Sequence, residues 1–391
     1  MPQRALLILI GGRQIPNLLT AQYLKPDIIV PIASHEALRP GDAWSKIEPA
    51  LGQLCPQGLE APLAVDAFDT EGIRAVCRNA LNKYPEATWV CNITCATTIM
   101  SIGAYEAAQQ IGASVWYLDT AGGRVVTLAR TPPEGNLYHL KVADYMDAYG
   151  RRPKEPDAPP PQLIEFAQRL AQQPQEAMDF REALRSASLN SRRPHIGTVP
   201  ASSTFMDFCE SAKKAGLISK YQSLPPHKIQ CETTGSQLWK YVDGEWLEVY
   251  VWSVARDAGC FDDYRHSLHL PIRTPEETAS NEVDLATTYR ASLLIAECKT
   301  EKKPFDTKYL TKLHAIAAMV GGDFVSRLFI ASQSEQYYRH RGLSQKYDAF
   351  CSQARAHQIV VVTGEQLRDL DAILRREAGA DLKQRPTYSP R

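Results

Sequence analysis

The stretch Asn281–Thr300, NEVDLATTYRASLLIAECKT, decides how the second half of this chain is read. An apolar run, Leu293–Ala296, leads directly into Glu297 and Lys299, and Glu282 and Asp284 stand shortly before it. In an extended chain successive side chains point to opposite faces. Glu297 and Lys299 therefore share one face while Cys298 takes the other, and Glu282 and Asp284 share a face in the same way. At average composition Glu-x-Lys is expected about once in a chain of this length, and Glu301-Lys302-Lys303 is a second copy. The tripeptide is uninformative by itself. Its place at the end of a strand of core-like composition, behind two alternating acids, gives it meaning.

Working outward, 391 residues exceed one ordinary core and predict two domains with a connecting segment. A hydrophobic content of 44% and a charged content of 23% are those of a globular protein. Lys+Arg and Asp+Glu balance at 44 each, so no overall positive field recruits nucleic acid, which excludes a scaffold that coats DNA but not a nuclease. The nine cysteines form no Cys-x-x-Cys, and Cys91 and Cys95 are not at a zinc-ribbon spacing. With no signal-peptide pattern, a reducing cytoplasm is expected. RALLILIGG is stopped by glycines far short of the roughly 20 apolar residues a membrane span needs.

The first 150 residues alternate apolar runs with helix-like segments: ALLILI (5–10), DIIVPIA (27–33), PLAVDAF (62–68), TWVCNIT (88–94) and SVWYLDT (114–120). That alternation predicts a parallel, doubly wound sheet. RRPKEPDAPPPQ (151–162) has the composition of a linker. A helical pattern follows to about residue 230, completing a connector over 151–235. SQLWKYVDGEWLEVYVWSVA is read as β, with a hairpin-like turn at Asp243-Gly244 and with Trp246, Tyr250 and Trp252 alternating on a strand as core residues. Residues 236–391 then form a second α/β unit with a mixed sheet, a helix at 307–320, strands SRLFIA and IVVVTG, and a frayed tail, KQRPTYSPR.

Glu248, Glu282, Asp284 and Glu297 are four acids that can converge with Lys299. Several carboxylates in one pocket do not stay ionised without cations, and one lysine does not balance them. Mg²⁺ or Mn²⁺ would, and such an ion polarises a phosphodiester and acidifies an attacking water. The same acids can instead form a structural ion-pair cluster. Glu282 is left open between a metal ligand and a solvated neighbour. Lys302, Lys303, Lys308 and Lys312 follow the acids as phosphate contacts or as a solvated helix face.

GEWLE, NEVD and AECK together resemble the PD-(D/E)xK restriction-endonuclease-like superfamily, with Val283 where a proline would stand. The resemblance implies metal binding by Asp284 and Glu297, an additional acid at Glu248, and catalytic assistance from Lys299. In the first domain, Gly11-Gly12 lies between a strand and a helix, and Asn92, Thr94, Thr97 and Thr98 crowd the carboxyl end of another strand, the edge where open α/β sheets bind ligands. Threonine is equally a natural helix cap. This arrangement resembles the CARF domain, a Rossmann-like sensor of cyclic oligoadenylates. The full order, CARF-like sheet, helical connector and C-terminal nuclease domain, resembles the ancillary nucleases of type III CRISPR systems. That implies an activator, cyclic tetra- or hexa-adenylate, bound by Gly11, Gly12, Arg13, Gln14, Asn92, Thr94, Thr97 and Thr98. It also implies a homodimer, which a ring of two-fold symmetry matches, and single-stranded DNA or RNA as substrate. Where relatives often show a Thr-Gly-Gly-Thr-Lys-like turn, this chain has Thr94-Cys95-Ala96-Thr97-Thr98.

Two alternatives remain open at this level: a ligand-responsive regulator that binds nucleic acid without cutting it, and a first domain that degrades its own ligand. Cys260, His266 and His269 have loosely metal-like spacing but lack a fourth ligand.

Overall fold

The computed structural model describes residues 2–120, 123–129, 139–154, 156–190, 196–273 and 278–380. The expected tail at 383–391 lies outside them.

The N-terminal unit alternates β1 (Arg4–Ile10), α1 (Ile15–Leu24), β2 (Ile28–Ser34), α2 (Ala43–Leu54), β3 (Leu63–Val65), α3 (Thr70–Asn82), β4 (Thr88–Asn92), α4 (Thr98–Ile111) and β5 (Ser114–Asp119). The strands lie in the order β3-β2-β1-β4-β5 and run parallel. β1 and β2 are near-continuously apolar because helices cover both faces of the sheet. An edge strand that the sequence did not signal, β6 (Arg124–Ala129), adds to β5 in antiparallel sense. Its RVVTLA pattern, exposed at every second residue, lacks the apolar run that marks the interior strands.

α5 (Val142–Asp147) closes the N-terminal unit, and the connector holds α6 (Pro161–Gln172) and α7 (Pro174–Asn190), then β7 (Ile196–Pro200), α8 (Ser203–Lys214), β8 (Ile218–Leu224) and β9 (Lys228–Thr233). The helical reading to residue 230 is corrected here: the last three strands form an antiparallel sheet in the order β7-β9-β8. Gly216, at φ +73°, ends α8 and turns the chain into β8, so KKAGLISKY divides between a helix and a strand.

The β reading of residues 236–255 is overturned as well. SQLWKYVDGEWLEVYVWSVA is helical: α9 (Gln237–Lys240), a π-helical turn over Tyr241–Glu245, and α10 (Trp246–Ala258). Asp243-Gly244 lies within that turn instead of closing a hairpin, and Asp243 is held by Arg181 at 2.7 Å and by the Thr300 hydroxyl. α10 is rich in strand-favouring residues because Trp246, Leu247, Val249, Val251 and Trp252 are all buried, in the core shared by α6, α14 and the second sheet. β-propensity records fit to a packed surface more than a backbone preference, and a helix apolar all round meets the same demand.

The C-terminal sheet comprises β10 (Asp263–Arg273), β11 (Thr278–Tyr289), β12 (Ser292–Lys299), β13 (Val325–Ala331) and β14 (Ile359–Val362), in that order. The β10-β11 and β11-β12 pairs are antiparallel, β12-β13 and β13-β14 parallel. α11 (Thr307–Met319) makes the first parallel crossover, α12 (Glu335–His340) and α13 (Ser344–Ala356) the second, and α14 (Leu370–Glu377) follows the sheet. One core joins the two ends of the chain, since Leu6, Ile8 and Tyr145 share a cluster with Leu293, Ile295 and Phe329. On the other face of the second sheet, Leu294, Ala296 and Leu328 pack with α6 and α10. Among the described residues, no helix is long and apolar enough to cross a membrane.

Candidate active site and ligand cleft

β12 delivers Glu297 and Lys299 to one face, as strand alternation requires: Lys299 Nζ lies 2.7 Å from Glu297 Oε1 and 3.6 Å from Asp284 Oδ2. Asp284, on the neighbouring β11, is buried, and its Oδ2 accepts from the Cys298 N–H at 2.6 Å. Glu248 reaches in from the first turn of α10 and accepts from the Ser267 hydroxyl at 2.9 Å. Ser267 has φ +47°, a backbone turn within β10 that sets its hydroxyl beside the acid.

Glu248, Glu282 and Asp284 each place a carboxylate oxygen within 4.8 Å of the others, and they are the one such acidic or metal-ligating group among the described residues. The site therefore includes Glu282 in its acid group and holds Glu297 apart from it. Glu297, with a side chain 2% exposed, is gripped by Lys299 and by Lys312 of α11, whose Nζ lies 2.8 and 3.1 Å from its two oxygens. Lys312, read in sequence only as a phosphate contact or a solvated face, is thus the second lysine of the site. Its helical position, on the side of α11 that carries Leu313 and Ile316 toward the sheet, was the available signal. The neighbouring lysines are engaged elsewhere, Lys302 with Glu182 and Lys308 with Asp306.

Burial, reinforced by the Glu297 charge, pushes the Asp284 carboxyl up to about 7 against the opposing pull of Lys299. Burial and then Asp284 push Glu248 up to about 8. For Lys299 burial acts downward, but Asp284 and Glu297 outweigh it and hold the ammonium well above the usual lysine range. These acids therefore share protons near neutral pH, the signature of a site short of positive charge. Three oxygen donors with no thiol or imidazole suit a hard divalent cation. His266 sits instead against Trp252 and the Asp157 carbonyl, and His269 pairs with Glu282 across β10 and β11.

At the other end of the molecule, β1 and β4 are adjacent in the sheet and their crossovers leave in opposite directions, the switch point where such sheets bind ligands. A cleft of about 1090 Å³ opens there, lined by Gly11, Gly12, Arg13, Thr94, Thr97 and Thr98 among others. Gly11 approaches the loop after β4 so closely that a Cβ would stand 2.0 Å from the Cys95 carbonyl oxygen. Gln14 and Asn92 lie beneath the cleft instead of lining it: Gln14 Nε2 donates to the Gly11 carbonyl at 2.8 Å, and Asn92 joins Asn17 to Thr94. Thr97 caps α4 through Met100 N–H. Sequence reasoning missed Arg39 and the aromatics Phe68, 78% exposed, and Tyr117. The apolar run PLAVDAF places Phe68 in a strand, but β3 ends at Val65 and leaves it in the loop at the cleft.

Arg13 belongs to both ends. Its guanidinium stacks on the Phe324 ring, 4.1 Å from the centroid, and Phe324 closes the turn that follows α11.

Residues 236–378 match the family model described as Card1-like, endonuclease domain. No curated protein matches the sequence of the chain. Among solved structures, the chain is similar to protein VC1899 from Vibrio cholerae, at 18% identity and a TM-score of 0.72 over 96% of this chain and 98% of that one. It is similar to Can2 from Sulfobacillus thermosulfidooxidans in complex with cyclic tetra-adenylate, at 17% identity and a TM-score of 0.69 over 96% and 98%. A type III CRISPR defence DNA nuclease activated by cyclic oligoadenylate is also similar, at 21% identity and a TM-score of 0.50, over 85% of this chain and 46% of that one. Residues 236–378 are thus similar to a Card1-like endonuclease domain, and the chain as a whole has the fold seen in VC1899 and Can2.

Proposed function

We propose that this chain is an endonuclease activated by a cyclic oligoadenylate, in first place cyclic tetra-adenylate, and dependent on Mn²⁺ or Mg²⁺. It acts as a homodimer on single-stranded DNA or RNA, and nicks supercoiled DNA, in type III CRISPR defence. The observation that carries this reading is the meeting of Glu248 from α10 with Glu282 and Asp284 from β11, beside Lys299.

Glu248, Glu282 and Asp284 would hold the cation. When bound, it supplies charge neutralisation at the phosphodiester and acidifies water. Lys299, kept charged by Asp284 and Glu297, donates toward the charge that builds on the phosphate oxygens. Glu297 fixes Lys299, and Lys312 fixes Glu297. A water oxygen bonds to phosphorus as the bridging P–O bond breaks, leaving a hydroxyl end and a phosphate end.

In the cleft, Phe68 and Tyr117 offer faces for adenine stacking, and Arg13 and Arg39 offer charge for phosphates. The cyclic tetra-adenylate bound by Can2 supports that ring size for a chain of the same fold. A two-fold ring is best held by two equal pockets, and exposed Ile102, Val126 and Leu128 offer apolar surface to a second copy. The test incubates the purified chain with Mn²⁺ or Mg²⁺, labelled single-stranded DNA, single-stranded RNA and supercoiled plasmid, with and without cyclic tetra- or hexa-adenylate. Cleavage that appears only with the cyclic nucleotide supports the proposal. Cleavage without it rejects the activator, and no cleavage under any condition rejects the nuclease.

A further inference from the structure

Gln333 is 0% exposed, and neither its Oε1 nor its Nε2 has a hydrogen-bond partner among the described residues. A carboxamide carries two donors and an acceptor oxygen. Burying it unpaired is unfavourable enough that native cores rarely do so without a functional reason.

Its backbone is tied to the active-site end of the sheet. The Gln333 carbonyl accepts from Gly364 N–H at 3.1 Å, and the preceding Ser332 N–H donates to the Lys299 carbonyl at 3.0 Å. Along β13, Val325, Phe329 and Ala331 join the core shared with Leu293 and Ile295 of β12, while Leu328 and Ile330 face α6 and α10. Ser332 and Ser334 continue the second row and line a cleft against α6 and α7. Gln333 continues the first row, in which Phe329 stands opposite Glu297 and Ala331 opposite Lys299. Gln333 lies two residues past Ala331, just beyond the end of β13, and continued alternation makes its carboxamide the next side chain after Lys299 on the face that carries Glu297.

From this juxtaposition we infer that Gln333 is a further residue of the nuclease site, its carboxamide bridging the substrate phosphodiester and the attacking water beside Lys299. The inference rests on the nuclease reading above. Nε2 donates to a non-bridging phosphate oxygen, and Oε1 accepts one O–H of the water, which uses both of its otherwise idle ends. As the water oxygen bonds to phosphorus and the bridging P–O bond breaks, one water proton ends on the leaving oxygen and the other on the new phosphate or in solvent. The carboxamide gains and loses none.

The experiment compares wild type, Gln333→Leu and Ser332→Ala as full chains with Mn²⁺, cyclic tetra-adenylate and labelled single-stranded DNA and RNA. Gln333→Leu should lower the single-turnover rate at saturating substrate by about 100-fold, the loss typical of removing one preorganised donor. Its Tm should hold or rise, because an apolar group of similar shape replaces an unpaired one, and Mn²⁺ and activator binding by calorimetry should stay within about two-fold of wild type, since Gln333 is no part of either site. Ser332→Ala, whose hydroxyl is also unpaired but faces away, should cleave like wild type. Gln333→Leu cleaving within about three-fold of a cleaving wild type, or losing activity together with several degrees of Tm, overturns this inference alone. A wild type that cleaves nothing overturns the nuclease reading with it. If Gln333→Leu does not fold, Gln333→Met carries the same two outcomes.

Discussion

The two ends of this molecule solve opposite problems with opposite materials. In the N-terminal cleft the threonines are neutral and already paired, Thr94 with Asn92 and Leu118 N–H and Thr97 with Ala67 and Met100, and the charged lining residues, Arg13, Glu36, Arg39 and Asp42, are of both signs. In the C-terminal site four carboxylates face two ammonium groups, and Asp284 and Glu248 are driven far from their ordinary range. A surface whose polar groups are paired keeps its shape and waits for a ligand. A surface with surplus charge is poised to take a cation and do chemistry. Arg13 on Phe324 is where the two meet, so the cleft touches the turn that follows the helix carrying Lys312.

The sharpest way to break this contrast is Glu297→Gln. It removes the charge that holds Lys299 and Lys312 at nearly unchanged volume, and cleavage should fall by about 10³-fold or more while activator affinity stays within about three-fold. Parallel cleavage and calorimetric assays read both, and a large loss of activator binding would show that the ends are not separable. Phe68→Ala should act the other way round. Losing one base-stacking face weakens cyclic tetra-adenylate by about ten-fold or more, and saturating activator should restore full cleavage. Phe324→Ala tests the joint between them. Removing a cation–π contact of roughly 1 kcal/mol should lower activator stimulation by about five-fold, and stimulation equal to wild type would reduce the contact to packing.

The smallest effect concerns pH. Asp284 and Glu248 release protons near pH 4 when unfolded and near pH 7 and 8 when folded, so above pH 4 the unfolded chain binds fewer protons and stability falls as pH rises toward 8. Calorimetry of the metal-free chain should show a Tm lower by several degrees at pH 8.5 than at pH 5.5. Glu248→Gln should flatten that slope, and Mn²⁺ should restore the lost degrees. A Tm that rises over the same range would contradict the charge surplus on which the contrast rests.

Much of this was legible in NEVDLATTYRASLLIAECKT. A period of two fixed which side chains share a face, so Glu297 beside Lys299 was determined before any fold was known. The endonuclease assignment drawn from GEWLE, NEVD and AECK agrees with the domain over residues 236–378. The parallel N-terminal sheet was legible for the same local reason, since strands buried on both faces are apolar throughout. The errors came where burial imitates propensity. α10 looked like a strand because most of its side chains are buried, and β7, β8 and β9 hid because they are short, five to seven residues each, and their partners are each other.

The sequence by itself, then, determined the chemistry available: which residue types stand at strand ends, and with what alternation. The tertiary structure alone decided the membership. Glu248 joins Asp284 through a helix, not a strand. Glu282 enters the acid group, Glu297 is claimed by Lys299 and Lys312, Phe68 reaches the cleft, and Gln333 is left buried without a partner among the described residues. Local periodicity fixes the direction of a side chain, but contacts between residues tens of positions apart exist only after the chain has packed, and convergence of like charges is such a contact.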